Sequence, residues 1–518
     1  MLVDARTVPA NKVIETDVCI VGAGAAGITL AREFIGKPFR VCLLESGGFD
    51  FEENTQDLYR GDNAGFHVPL SVARLRYFGG STNHWGSYCR PLDEIDFETR
   101  DWVPHSGWPF KKSELDPYYD RAQSICQLGP YRYDPQFWQT QAGAPLPLAS
   151  DRVVTSIFQM RDPAVRFGVL YRDEILKAAN VTTLLRANLL SFDTNAGAQV
   201  VKRAQVGCIE GNHFSVNAKL FILAAGAIEN ARLLLSSKDA VRNGLGNQNG
   251  LVGRFFMSHA LCNPGLFLPS DPLIPAGLYL YEKPAVEALR IIGHLTLSPE
   301  TQRQNRLLNF NASLKFPVPV ARTGLLSAKR LVNREFDTLA KDLRNVIADM
   351  DGVAAAAYWK IRTGMVPAQA FSLTCAIEQR PNPDSRVSLS SERDALGQQR
   401  VRLDWKLTAV DKNTLRRSLE IIGAELGRAA LGRLKIALDK TDNAWPEIVQ
   451  DGGHHIGTTR MHVDPKQGVV DRNCRVHGVS NLLVAGSSVF PTSGHANPTL
   501  TIVALALRLA AHVKRLMT

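Results

Sequence analysis

The strongest hydrophobic patterns of this chain lie near its two ends. The run TDVCIV, over 16–21, is apolar and rich in β-branched residues. A glycine turn, a helix-like stretch and the apolar run RVCLLESGG follow it, which predicts strand, turn, helix and strand. Near the C-terminus, NLLVAGSS and then PTLTIVALALRLAAHVKRLM predict another strand followed by a buried helix.

Similar strand patterns recur in the middle of the chain, in TTLLRANLLSF and AKLFILAAG, whereas 260–445 show the least periodicity. A nucleotide-binding domain of the α/β class, assembled from separated segments with a second domain inserted between them, explains this order. We therefore predict a Rossmann-like domain over 10–100, 180–262 and 446–518, and an inserted α+β substrate-binding domain over 101–179 and 263–445.

One stretch within the predicted insert is strongly periodic. Apolar residues recur there at steps of three and four, which predicts one face of a helix: Val332, Phe336, Leu339, Leu343, Val346, Ile347 and Met350. Six basic and three acidic residues lie within 322–344, so the opposite face is polar and somewhat positive. The pattern favours a helix packed on its own domain, and a surface helix on an anionic membrane or a partner subunit is the alternative.

Composition narrows the function classes. The net charge is +10, but Lys and Arg are dispersed without a basic run, which argues against a nucleic-acid partner. The eight cysteines lack CxxC spacing, and no HExxH pattern occurs, so we expect no metal site. The N-terminus lacks signal-peptide features, and no apolar stretch is long enough to span a membrane. Together with the cysteine usage, this predicts a cytoplasmic protein.

A glycine turn marks a dinucleotide site. Gly22, Gly24 and Gly27, with Ala25 among them, follow a predicted strand and open a helix. The glycines permit a tight turn and close approach to a pyrophosphate, which the helix N-terminus favours. Glu45 ends the next strand, 23 residues after Gly22, where a carboxylate can accept hydrogen bonds from ribose hydroxyls. The carboxylate disfavours a 2′-phosphate, and NAD and FAD both remain open on this pattern.

Four ordered segments carry a family resemblance. They are the glycine turn, FGGSTNHWGSYCRPLDEIDF (78–97), LFILAAGAIENARLLL (220–235) and the stretch from HHIGTTRM to ANPTLT (454–501). Together they resemble the glucose–methanol–choline (GMC) family of flavin oxidoreductases, and the ends most resemble pyranose oxidases and bacterial sugar dehydrogenases. The resemblance covers both ends and the middle and is weakest over about 265–445.

The resemblance implies FAD as the cofactor. Gly79, Gly80 and Ser81 would form a flexible glycine loop beside it. His84 falls where some members link histidine covalently to flavin, but Asn83 replaces a hydroxyl residue, which leaves covalent attachment open. Further cofactor contacts are implied at Gly226, Gly486, Ser487, Pro498 and Thr499.

Alcohol oxidation by flavin requires removal of the hydroxyl proton as hydride leaves the adjacent carbon, and a neutral histidine suits that task. The spacing His454-x-x-Gly457-Thr458 resembles the catalytic histidine of the family. Its second position is histidine or asparagine, and here it falls on Asn497, whose amide orients the hydroxyl. In an extended segment the side chain of His455 must point away from that of His454, so His455 is the weaker candidate for the base. For His495, a place at the mouth of the pocket is suggested only by its proximity to Asn497 in the sequence.

The resulting prediction is an FAD-dependent oxidoreductase acting on a hydroxyl of a sugar, glycoside or related alcohol. Oxygen, a quinone or another acceptor would reoxidise the flavin. A non-redox lyase or photochemical decarboxylase on the same fold, and a catalytic subunit of a membrane-linked dehydrogenase, are the alternatives. A binding protein is disfavoured because both catalytic positions are filled. Self-association or peripheral membrane contact is also predicted.

Overall fold

The structure, a computed structural model, describes residues 1–209, 211–270, 274–315, 323–363, 370–438, 445 and 449–518. The predicted boundary between 445 and 446 falls at residues 446–448, which lie outside the described residues. The division into domains stays a prediction.

The described strands, in chain order, are β1 (Leu2–Asp4), β2 (Val13–Glu15), β3 (Val18–Val21), β4 (Val41–Leu44), β5 (Gly61–Asn63), β6 (Tyr88–Cys89), β7 (Val153–Arg161), β8 (Val181–Leu185), β9 (Asn188–Thr194), β10 (Val201–Gly207) and β11 (His213–Asn217). They continue with β12 (Leu220–Leu223), β13 (Ala260–Pro269), β14 (Ala285–Val286), β15 (Leu289–Leu297), β16 (Phe310–Lys315), β17 (Phe371–Ile377), β18 (Arg386–Arg393), β19 (Gln399–Asp404), β20 (Gly432–Ile436), β21 (Gln450–Asp451) and β22 (Leu482–Val484).

The helices are α1 (Ala25–Phe34), α2 (Glu53–Asp57), α3 (Glu94–Phe97), α4 (Asp116–Ile125), α5 (Pro135–Ala142), α6 (Phe167–Leu170), α7 (Arg172–Lys177), α8 (Ala227–Ser236), α9 (Pro299–Asn305), α10 (Thr323–Val332), α11 (Leu339–Ala348), α12 (Met350–Thr363), α13 (Ala409–Arg428) and α14 (Thr499–Leu516). Short 3-10 turns lie at Ala5–Thr7, Gly80–Asn83, Lys112–Glu114, Ile274–Glu282 and Ser487–Val489. Within the described residues, every helix is too short or too polar to cross a bilayer.

A six-stranded parallel sheet forms the first layer, in the order β1-β8-β4-β3-β12-β22. The residues of β3, β4, β12 and β22 are buried throughout, as expected of parallel strands covered on both faces. These strands come from the beginning, middle and end of the chain. The predicted α/β fold with a Rossmann-like sheet built from separated segments is confirmed.

A nine-stranded sheet forms the second layer, with the central order β20-β13-β17-β16-β15-β7-β6; β14 pairs with β15, and β21 pairs with β13. β17 alternates buried and half-buried residues, the period of a strand with one face on a core. Helix α13 begins in a capping box between Thr408 and Asp411 and buries one apolar face: Leu415, Leu419, Ile422 and Leu426. Two smaller sheets, β2-β11-β10-β9 and β18-β19-β5, complete the fold.

The periodic segment over 332–350 differs from its prediction. It forms the end of α10, a connection over 333–338, α11 and the start of α12, and not one helix. The predicted packing of its apolar face on its own domain is wrong, since Val332 is 81% exposed and Ile347 68%. Asp342 is buried against α10 instead, where it accepts a hydrogen bond from Ser327 (2.6 Å).

Direct backbone-to-backbone contacts at glycines hold α1 against the parallel sheet. A Cβ atom on Gly27 would lie 1.8 Å from the carbonyl oxygen of Gly22, and a Cβ atom on Gly22 would lie 2.7 Å from the carbonyl oxygen of Ala224. Gly22 also has a φ of +101°, a conformation that favours glycine. A Cβ atom on Gly24 would meet nothing within 4 Å. Two of the glycines are therefore required by the fold, and the third is not.

We expect Gly27→Ala to destabilise the cofactor-free protein by about 3 kcal/mol or more, because its new methyl group overlaps backbone that cannot rotate away. Gly24→Ala is the matched control and should stay within about 1 kcal/mol of the parent. Denaturant unfolding of the cofactor-free variants measures both. Equal stabilities for the two variants would contradict the assigned close contact.

Candidate active site

A cavity of about 550 Å³ opens at the carboxyl ends of β3, β12 and β22. This is the edge at which ligands bind in open parallel sheets. It gathers most of the predicted site residues: Gly22, Gly24, Ala25, Glu45, Gly80, Ser81, His84, Gly226, His454, Gly486, Ser487, Pro498 and Thr499. Gly27 packs behind the turn, and Gly79, Asn83 and Asn497 are not among the lining residues.

Three helices begin at the cavity. The residues that open α1, α8 and α14 line it, and no side chain caps the N-terminus of any of the three. Free N–H groups and positive dipole ends therefore face the same space. Such N-termini bind phosphates and other electron-rich groups.

Glycines leave the space that a dinucleotide needs. A Cβ atom on Gly24, Gly226 or Gly486 would meet nothing within 4 Å, and each of these residues lines the cavity. Any side chain there would project into the cavity, so a ligand can approach the backbone at three places. Together with the three helix N-termini, this arrangement fits the diphosphate and rings of an FAD molecule.

Glu45 lies at the end of β4 with its carboxylate on the cavity. One oxygen accepts the Ala23 N–H at 2.8 Å, and the other accepts the Gly47 N–H at 2.9 Å. A carboxylate offers about four acceptor positions, so it retains capacity for a ribose hydroxyl. The same hydrogen bonds hold the glycine turn against the end of β4.

Sequence reasoning missed a cluster of charges on the cavity wall. Arg74 and Arg76 line it, and each lies 3.3–3.4 Å from an oxygen of the buried Glu229. Burial alone would raise the pKa of Glu229, but Arg232, Arg76 and Arg74 lower it to about 2. The pair of arginines around one carboxylate leaves a positive wall, which suits a diphosphate. The only sequence signal was two arginines within the run SVARLRYFGG.

In the loop over 79–84, some residues stabilise the loop and others line the cavity. Gly79 has a φ of +103° and donates its N–H to the Ala23 carbonyl at 2.9 Å, while the Asn83 amide donates to the Phe78 carbonyl at 2.9 Å. Both residues therefore hold the loop. His84 is exposed on the cavity rim, and partial burial followed by the charge of Arg166 lowers its pKa. A neutral imidazole there is available to the cofactor.

The catalytic pair predicted from sequence is in contact. Nε2 of His454 lies 3.1 Å from the amide nitrogen of Asn497. Nδ1 of His454 lies 2.7 Å from Nδ1 of His259, a residue that sequence reasoning missed. Nε2 of His259 lies 2.9 Å from the carbonyl oxygen of Gly494.

These contacts determine where the protons are. A carbonyl oxygen only accepts, so Nε2 of His259 donates to Gly494, and a neutral His259 then has its lone pair on Nδ1. Nδ1 of His454 must donate to that lone pair. The free lone pair of a neutral His454 is consequently on Nε2, where the Asn497 amide donates to it.

Burial keeps both imidazoles neutral. Burial lowers the pKa of His259 to about 4. Burial, with a smaller contribution from the neighbouring His259, lowers the pKa of His454 to about 3. Both groups are therefore uncharged above about pH 5, and the Nε2 lone pair of His454 is present across the neutral range.

The neighbouring histidines are used differently. Nε2 of His455 lies 3.1 Å from the Asp451 carboxylate, and its backbone carbonyl accepts the Ser487 hydroxyl at 2.6 Å. His455 therefore fixes the segment that carries His454. His495 is buried against Asp93 at 3.1 Å and does not line the cavity.

Comparison with known proteins agrees with this geometry. Residues 381–506 match the family described as GMC oxidoreductase. A 6‴-hydroxyparomomycin C oxidase of Streptomyces lividus is 24% identical, over 95% of this chain and 90% of its own length. The fructose dehydrogenase large subunit of Gluconobacter japonicus is 23% identical, over 96% and 98%.

The fold also matches a solved structure. An Aspergillus oryzae RIB40 formate oxidase, in a variant studied for its effect on FAD modification, superposes with a TM-score of 0.58 at 15% identity, over 98% of this chain and 99% of that one. The likeness extends over nearly the whole length of both chains. The family resemblance carried by the four sequence segments is confirmed: a family model described as GMC oxidoreductase matches the C-terminal part of the chain, and the relatives cover nearly all of it.

Proposed function

We propose that this chain is an FAD-dependent oxidoreductase that oxidises a hydroxyl group of a sugar, glycoside or related alcohol. The observation that carries the proposal is the neutral His454, whose Nε2 lone pair is oriented by Asn497 at a cavity shaped for a dinucleotide. The similarity to a hydroxyparomomycin oxidase and a fructose dehydrogenase subunit supports a sugar-like donor.

FAD would be held by the glycine turn, Glu45 and the N-termini of α1, α8 and α14. The Arg74–Arg76 wall would add positive charge beside the diphosphate. When bound, the flavin supplies a two-electron acceptor for the hydride that leaves the carbinol carbon.

His454 and Asn497 would bind the substrate hydroxyl together. A hydroxyl oxygen between them accepts a hydrogen bond from the Asn497 amide and donates its proton to Nε2 of His454. This requires the direct 3.1 Å contact between the two side chains to open as substrate enters. The O–H bond breaks towards His454 while the carbinol C–H bond loses hydride, which leaves a carbonyl product.

The alternatives differ in the redox state of the flavin. A lyase would turn over with the flavin oxidised throughout, whereas an alcohol oxidoreductase bleaches it when oxygen is absent. Anaerobic mixing with a panel of sugars, glycosides and simple alcohols tests this, and bleaching by at least one is expected. Subsequent admission of air separates an oxidase, which recovers its colour rapidly, from a dehydrogenase, which needs a quinone or another acceptor. A panel that turns over without bleaching would contradict the proposal.

We also propose a cytoplasmic location, which the eight free and buried cysteines support because such thiols persist in a reducing compartment. Self-association and peripheral membrane contact remain predictions, and the exposed helices over 323–363 bear on the second.

We expect His454→Gln to lower the rate of anaerobic flavin bleaching by about 100- to 10,000-fold, the usual range for loss of a general base. His455→Gln is the matched control and should stay within about tenfold, because its amide can still donate to Asp451. Flavin content, measured by absorbance, should match the parent in both variants.

The pH dependence of the same measurement supplies a second readout. Because the pKa of His454 is lowered to about 3, protonation should not slow bleaching until the pH falls well below 5. Two results would show that His454 is not the buried base. One is a His454→Gln variant that bleaches at the rate of the parent protein, and the other is a bleaching rate of the parent that falls on acidification with an apparent pKa near 6.5.

His259→Leu should slow bleaching by roughly 10- to 100-fold with flavin still bound. It removes the acceptor for Nδ1–H of His454, and an unpaired buried donor costs about 1–3 kcal/mol. The proton then moves to Nε2, where it blocks the base. His259→Asn places an amide oxygen near the former Nδ1 and should restore most of the rate. Equal rates for the Leu and Asn variants would contradict the positioning role.

The link between His84 and flavin has its own test. If His84 is attached covalently, acid precipitation leaves the yellow colour in the pellet, and His84→Ala releases it to the supernatant. Release of all colour from the parent protein would show that the contact is noncovalent.

A further inference from the structure

The helical hairpin over 323–350 exposes apolar side chains of α11 and buries the polar Ser327 and Asp342 between its two helices. α10 and α11 are antiparallel: the Arg330 side chain contacts Thr338, and Ser327 contacts Asp342. Asp342 is only 1% exposed, and its second oxygen accepts the Thr338 hydroxyl at 2.7 Å. The Asn345 amide donates to the Ser327 hydroxyl at 3.1 Å. Hydrogen bonds therefore join the two helices at this level.

The outward side of α11 is a continuous apolar stripe. With about 100° between successive residues, Leu339, Leu343 and Ile347 fall within one quarter of the helix circumference. Phe336 lies shortly before α11 in the chain and Met350 shortly after it, and all five side chains are exposed. A contiguous exposed apolar stripe of this length marks a place where something binds, because removing such side chains from water is favourable.

Exposed basic residues outnumber exposed acidic ones in the helices that carry the stripe. Among the side chains that the structure describes over 323–363, the exposed acidic ones are Glu335 and Asp337. The exposed basic ones are Lys329, Arg330, Arg334, Lys341, Arg344, Lys360 and Arg362. Arg344 lies just beyond the Ile347 edge of the stripe, where its long side chain can extend past the apolar residues.

We propose that α11 and its flanking basic residues, the docking face, bind the surface of an anionic lipid bilayer. An apolar helix face bordered by Lys and Arg is the arrangement by which helices lie in the interface, with the apolar residues among the acyl chains and the cations at lipid phosphates. The anionic lipids of a cytoplasmic leaflet supply the complementary charge. The hairpin is inserted between β16 and β17, adjacent strands of the nine-stranded sheet, so a bilayer contact there leaves the parallel sheet unaltered.

Sedimentation with lipid vesicles tests the docking face on the full-length, flavin-loaded protein. The parent should sediment with vesicles of phosphatidylcholine containing about a third phosphatidylglycerol, but little with phosphatidylcholine alone, and added salt should weaken binding. The double variant Leu343→Gln/Ile347→Gln should bind the anionic vesicles at least about tenfold more weakly than the parent. Lys341→Gln/Arg344→Gln should lose part of the preference for the anionic lipid.

The matched control is Val169→Gln/Leu170→Gln on α6. These residues are 67% and 45% exposed, against 68% and 46% for Ile347 and Leu343, and the control should bind vesicles as the parent does. Three results would overturn the proposal: no binding of the parent to anionic vesicles, equal binding of Leu343→Gln/Ile347→Gln and the Val169→Gln/Leu170→Gln control, or equal binding of the parent to neutral and anionic vesicles. Concentration-dependent self-association that Leu343→Gln/Ile347→Gln abolishes, without vesicle binding, would assign the face to a second copy of the chain and also overturn it.

Discussion

The site depends on two close backbone contacts that only glycine allows, one between Gly27 and Gly22 and one between Gly22 and Ala224. They press α1 against β3 and place Gly22 against the end of β12, which leads directly into α8. Because β22 pairs with β12, the segment that leads to α14 leaves the same edge of the sheet. Three helix N-termini therefore meet around one cavity, and their combined electrostatic field follows from backbone packing more than from charged side chains. The open glycines add the room that a ligand needs.

His454, the proposed proton acceptor, lies three residues after β21, a strand of the nine-stranded sheet. β21 pairs with β13 through Ala260 and Asp451, which brings His259, just before β13, beside His454. The Gly452 N–H donates to the His259 carbonyl at 3.0 Å and extends this pairing. Gly494 and Asn497 come from the segment before α14, so the chain of hydrogen bonds joins both sheets. The tautomer of His454 is thus determined by how the two layers meet.

Local pattern explains which parts of this arrangement were predictable. The glycine turn, Glu45 and the start of α14 occur at strand and helix ends, where spacing alone locates them. His259 was missed because it lies 195 residues from His454 and meets it only through a β-ladder. Arg74, Arg76 and Glu229 meet through tertiary contacts in the same way. Periodicity over 332–350 predicted one helix, of which α11 is only the central part, and it carries no information about which face meets solvent. The buried Ser327–Asp342 contact turns the apolar face of α11 outward.

With a pKa near 3, His454 holds a proton weakly in the resting site, yet the same burial would serve its proposed role as the base. Low polarity around His454 disfavours an isolated imidazolium, but it also strengthens attraction between that imidazolium and negative charge that develops on the substrate oxygen. The charge of Asp451 raises the pKa of His454 and so partly offsets the effect of burial. Burial would raise the pKa of Asp451 as well, but its contact with His455 lowers that pKa to about 2. A permanent carboxylate thus stands near the base. Under the proposed function, His454 would therefore stay neutral until substrate is bound, and its proton affinity would rise only as the hydroxyl begins to ionise.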